Sequence, residues 1–114
     1  MSGRAFLFSL YIVLMFYLYI LYSVSSDKYY IGYSDDVERR LSEHHHSERT
    51  TYTSKHRPWI LKKQIEISND RGFAMKIEKA IKKSKSRILI EKIIVEINNI
   101  EGLAQLVRVP MHRD

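Results

Sequence analysis

Between Tyr30 and His44 the chain changes its hydrophobic period from that of a strand to that of a helix, and this switch constrains the fold more than any other stretch. Tyr30-Ile31-Gly32-Tyr33 carries aromatic and β-branched residues around a glycine, which reads as a strand. Ser34, Asp35 and Asp36 then offer side-chain oxygens that can cap a helix N-terminus. Val37, Arg40, Leu41 and His44 follow at i, i+3, i+4 and i+7, one stripe of an α-helix. Val37 and Leu41 should face a core, so Arg40 and His44 are carried to the same side. A cation and an imidazole on an inward stripe need a reason. A phosphate site beside the sheet is one. An arginine snorkelling outward and a histidine favouring the C-terminal helix dipole is the other.

The neighbouring segments supply the rest of a small domain. Tyr17-Leu18-Tyr19-Ile20-Leu21-Tyr22 is a second aromatic and aliphatic run, joined to the first by the hairpin loop Val24-Ser25-Ser26-Asp27-Lys28. Strand alternation puts Tyr17, Tyr19 and Leu21 on one side, and Tyr30 and Gly32 on one side of the next strand. A third strand is expected over Trp59 to Ile67, where Ile65 and Ile67 alternate with charges. Asn69 or Asp70 can cap a helix whose apolar stripe is Phe73, Ala74, Ile77, Ala80 and Ile81. Lys76, Lys79 and Lys83 cover its other side, and Glu78 lies at the border between them. Ser84-Lys85-Ser86 ends that helix, and Ser86 can cap a last one through Ile97 with Ile90, Ile93, Ile94 and Ile97 buried. The element order is therefore β-β-α-β-α-α.

These residues, in this order, resemble the GIY-YIG nuclease family, in particular its small stand-alone branch. Tyr17-Leu18-Tyr19 stands where the first motif belongs, and Tyr30-Ile31-Gly32 matches the second. Arg40 follows Tyr30 at the family's spacing, His44 comes one turn later, and Glu78 lies on the helix that carries the family's metal-binding glutamate. The likeness covers roughly residues 16–97. It implies an α/β (α+β) fold with a small three-stranded antiparallel sheet flanked by helices. It also implies a metal-dependent endonuclease that hydrolyses DNA phosphodiesters, in the setting of DNA repair or processing. On this reading Tyr19, Tyr30, Arg40, His44 and Glu78 are the catalytic set, and Glu78 holds one Mg²⁺ or Mn²⁺. A single carboxylate suits such an ion, which keeps most of its waters. Two departures stand out: Tyr17 replaces the glycine of the first motif, and no asparagine follows the Glu78 helix until Asn98 and Asn99.

The formal charge of +6 and pI near 9.6 suit a polyanionic partner, either nucleic acid or an anionic membrane surface. The segment Ser47 to Pro58 mixes Lys55, His56 and Arg57 with Tyr52, and Trp59 follows, a composition suited to phosphate contact and base stacking or to a solvated loop. Lys55, Arg57, Lys82 and Lys85 are the expected nucleic-acid contacts. Three consecutive histidines, His44 to His46, point about 100° apart on a helix and cannot share one metal ion, so His45 and His46 are expected to be solvated. With no cysteine, disulfides and thiolate metal sites are excluded.

Ala5 to Val24 is nearly free of charge and long enough to cross a bilayer. Its second half is the strand bearing Tyr19, and one segment cannot be a lipid-exposed helix and a paired strand at once. Residues 1–15 are therefore expected to be an apolar extension, and Met15 directly precedes the first strand. The C-terminal stretch Gly102 to Arg108 has no clear place in the fold. Its Ala-Gln-Leu-Val-Arg can be back-translated into the D-arm of a transfer RNA gene, so residues 98–114 are expected to lie outside the core. The expected compartment is cytoplasmic. Two rival classes stay open: a non-catalytic nucleic-acid-binding module of the same fold, and a membrane-anchored small protein.

Overall fold

The computed structural model describes residues 14–48 and 50–111. Most of the expected extension over residues 1–15 lies outside the described residues. Three antiparallel strands form one sheet in the order β2-β1-β3, with β1 at Phe16–Ser23, β2 at Lys28–Ser34 and β3 at Trp59–Ser68. The hairpin registers Tyr19 against Gly32 and Leu21 against Tyr30. On the other side of β1, Leu18 pairs with Ile65 and Tyr19 with Gln64. The central strand is apolar on both faces, and both are covered. Leu18 and Ile20 face the main core, while Tyr19 and Leu21 face a smaller one with Val37 and Trp59.

Among the described residues, five helices follow from local chemistry. Helix α1 spans Val37–His46, and Asp36 caps it by accepting from the Arg39 N–H at 3.0 Å. Helix α2, Tyr52–Lys55, is a single turn held by a reciprocal capping box between Thr51 and Ser54. Helix α3, Arg71–Ser84, starts at the Asp70 cap and ends at Lys85, whose φ of 52° is left-handed. Helix α4 is Arg87–Glu96 with Ser86 as its cap. Helix α5 is Ile100–Val107, capped by Asn99. Phe73, Ala74, Ile77 and Ile81 of α3 and Ile93 of α4 close the main core over the sheet. Among the described residues no helix is long and apolar enough to cross a membrane.

The C-terminal segment corrects the expectation from sequence. Leu103 and Ala104 of α5 are buried in the main core, and Leu106, Val107, Val109 and Met111 pack against it. Residues 103, 104, 106 and 107 lie on one helix face, so a segment without an assigned motif still has an amphipathic pattern to bury. Asn98 and Asn99 also have structural uses. Asn98 accepts from Lys63 Nζ at 2.8 Å, and Asn99 accepts from the Gly102 N–H at 2.8 Å. Leu103→Ala should therefore cost about 2–5 kcal/mol in urea unfolding, the range for truncating a buried leucine. An unchanged midpoint would return the segment to the status of an unpacked tail.

Candidate active site

The switch from β2 to α1 builds the site. Tyr30 and Gly32 point to the same face of the sheet as Tyr19, and α1 crosses that face with Val37 buried and Leu41 packed beside it. Turning Val37 and Leu41 inward brings His44 down onto the tyrosines. His44 is buried, and its Nε2 lies 3.0 Å from the Tyr19 hydroxyl. Its ring packs edge-on to Tyr30, with centroids 5.1 Å apart. Arg40, one turn earlier, stays half exposed. Its guanidinium hydrogen-bonds Glu43 at 3.0 Å, and it lies near enough to Tyr19 for the two to act on each other electrostatically. With His44 as the Nδ1–H tautomer, the Tyr19 hydroxyl donates to His44 Nε2.

Burial sets the protonation states of this pair. It pushes the Tyr19 phenol up to about 12, helped by neighbouring Tyr30, and outweighs the opposing pull of Arg40. The positive charge of Arg40 therefore does not lower the Tyr19 phenol in the protein alone. Burial likewise pushes His44 down to about 4, with the Arg40 charge acting in the same sense. Both groups are neutral over a wide range around neutrality. A histidine with a depressed pKa adds stability that is complete above its unfolded value of about 6.5. That stability is lost as pH falls toward about 4, by something on the order of 3 kcal/mol. Urea unfolding across that range should show the acid slope in the parent and a flatter one in His44→Gln. Equal slopes would mean that His44 is not held neutral.

Helix α3 brings the carboxylate from the other side. Glu78 is one turn from Ala74 and close to Ile81, both fully buried, and its own side chain is only 19% exposed. Its Oε2 is 3.7 Å from Lys82 Nζ, which also sits 5.3 Å over the Tyr30 ring. Tyr19, Tyr30, Gly32, Arg40 and Glu78 line one cleft of about 410 Å³. Glu78 is near enough for its charge to act on the Tyr19 phenol. Among the described residues no cluster of three histidine or acidic side chains could hold a metal. Two carboxylates line the cleft, and since Asp35 is already paired with Arg39 at 3.0 Å, Glu78 is the one placed to hold an ion. This fits an ion that takes its remaining ligands from water and phosphate.

Gly32 has a specific purpose here. A Cβ at this position would overlap Cζ and Oη of Tyr19 and come within 2.8 Å of its Cε2. The close approach at this glycine is made by the Tyr19 ring across the strand pair.

The basic residues expected to meet nucleic acid are spread more widely. Lys82 sits over the ring of Tyr30, a residue of the cleft. Lys55 is exposed on α2 and Lys85 at the C-terminus of α3, and neither lines the cleft. Arg57 is used by the fold: its Nε donates to the His44 carbonyl and its Nη2 to the Ser47 carbonyl at 2.7 Å, closing the C-terminus of α1. His45 corrects its expected solvation, because it accepts the Trp59 N–H at 2.8 Å and ties α1 to β3. His46 is exposed. Arg39, Arg71 and Tyr33 also line the cleft, and sequence reasoning had not singled them out. Arg71 could have been found, since it lies seven residues before Glu78 on the same face of α3. Arg39 carried no such signal. It is held by Asp35 at 3.0 Å and by Glu43 at 3.7 Å.

A β-β-α-β sheet with paired tyrosines, an arginine on the following helix and a glutamate across the cleft defines a nuclease-type catalytic domain. Residues 15–92 match the model of the GIY-YIG catalytic domain, well over half of the chain, and the protein belongs to that family. Comparison with curated proteins and with solved structures returned no match.

Proposed function

We propose that the protein is a metal-dependent endonuclease that hydrolyses DNA phosphodiester bonds, acting in DNA repair or processing in the cytoplasm. One observation carries this reading: Tyr19, Tyr30, Arg40 and Glu78 come from four separate elements and line a single cleft. Glu78 would hold the Mg²⁺ or Mn²⁺, which when bound supplies positive charge against the phosphate and makes water more acidic. Arg40 donates to phosphate oxygens; its half-exposed guanidinium can reach substrate while Glu43 orients it. Tyr19 and Tyr30 position the attacking water. Tyr19 takes a proton from that water as it passes its own to His44 Nε2, so its phenol stays neutral throughout. The relay suits a phenol whose ionisation is pushed to about 12.

The decisive assay incubates the full chain with single-stranded, duplex, flap and branched DNA in Mg²⁺ or Mn²⁺. Endonucleolytic cuts that EDTA abolishes are expected. Binding without cutting on every form, with either metal, would make the protein a non-catalytic nucleic-acid-binding module.

A further inference from the structure

Beside the catalytic cleft lies a second groove of about 730 Å³. Tyr30, Arg39 and Arg40 line both, and Ser42, Glu43, His44, Thr51 and Tyr52 line the groove alone. Tyr52 is the prominent feature. Its ring is 48% exposed although it sits among aromatic neighbours. It stacks on Tyr30 at 6.3 Å and 28°, lies 4.6 Å from the His56 ring, and is tilted 32° to Trp59 at 6.5 Å. The Thr51–Ser54 capping box fixes the turn that carries it, and Trp59 Nε1 anchors that turn by donating to the Thr53 carbonyl at 2.8 Å. One face of an aromatic ring is thus supported from behind while the groove gives access to it.

We infer that this groove is a nucleobase subsite, in which the base next to the reacting phosphate is unstacked from its neighbours and laid on Tyr52. The inference rests on the nuclease reading and names its substrate class: a DNA strand with single-stranded character at the cut. Three points support it. The groove adjoins the catalytic cleft across Arg40 and Tyr30, so a phosphate at Arg40 leaves its adjoining nucleoside near the groove. Arg39 and Arg40 line both, where a strand's backbone would pass. Every base has a π-face, so an aromatic platform rimmed by small hydroxyl side chains accepts any of them. A base held in a duplex cannot reach the platform unless it leaves the stack, which costs least where the strand is already unpaired.

The test is equilibrium binding of the full chain in metal-free buffer to a short single strand and to the same backbone built entirely of abasic sites. Loss of stacking on one aromatic weakens binding by a factor of roughly 5 or more. The parent should prefer the base-bearing strand by at least that factor, Tyr52→Phe should keep the preference, and Tyr52→Ala should lose it while melting near the parent temperature. A base analogue that loses fluorescence on stacking should be quenched by the parent and by Tyr52→Phe only. Equal binding of the two strands by the parent, or a preference that survives in Tyr52→Ala, would overturn the subsite. Neither result depends on cleavage: a protein that never cuts defeats the nuclease reading but leaves this comparison readable.

Discussion

Cleavage in Mg²⁺ is expected to fall by orders of magnitude in Glu78→Gln, while binding of DNA without metal holds or tightens. The substitution keeps the shape of the side chain and removes the charge that would retain the ion. A metal's stabilisation of transition-state charge amounts to several kcal/mol, and each 1.4 kcal/mol or so is tenfold in rate. Binding should not suffer, because a negative charge beside the phosphates has gone. The fold should be unaffected as well. The ion pair of Glu78 with Lys82 at 3.7 Å involves a lysine that is 45% exposed and is worth little. Arg40→Ala should give a different pattern, weakening both cleavage and binding, since its guanidinium would meet phosphate in ground and transition states alike. Rates under single-turnover conditions and metal-free binding constants separate the two. A well-folded Glu78→Gln protein that cuts at the parent rate would defeat the nuclease assignment.

Gly32→Ala should be nearly as damaging, although glycine itself does no chemistry. The added methyl would occupy the space of the Tyr19 phenol. Tyr19 is only 1% exposed, its hydroxyl is bonded to His44, and Tyr30 lies beside it, so the ring has no free direction in which to yield. Overpacking of this kind costs roughly 1–3 kcal/mol. The catalytic loss should be larger, about 100-fold, because a displacement on the order of 1 Å ruins the alignment of a reacting group. Gly72→Ala is the comparison. Its methyl would meet Asp70 Oδ1 at 3.3 Å, at an exposed position in the first turn of α3, and stability should change by less than about 1 kcal/mol. If Gly32→Ala melts and cuts as the parent does, the position of the Tyr19 ring is irrelevant to the reaction.

Much of the fold was legible along the chain because its signals are short-range. The caps at Asp36, Asp70 and Ser86 were all among the residues expected to start helices, since capping acts over two or three residues. The alternation of Tyr17, Tyr19 and Leu21 assigned a face that the sheet keeps, because a strand's period is two. The border position of Glu78 followed from helical spacing alone. The C-terminal helix was missed because motif order says nothing about a segment beyond the motifs, and its burial depends on the surface that α3 and β3 leave open.

The sequence by itself determined which elements form, which faces they bury and which chemical groups reach one end of the sheet. The tertiary structure alone decided how those groups are used. The Tyr19–His44 bond joins residues 25 apart, and the burial that pushes their pKa values in opposite directions exists only once α1 lies on the sheet. The same docking gives Arg57 and His45 to the closure of α1, fills the space over Gly32 with a phenol, and leaves Tyr52 open to a groove. Hydrophobic period and capping are properties of a few consecutive residues, whereas desolvation and steric overlap arise between side chains that meet only after the chain has folded back on itself.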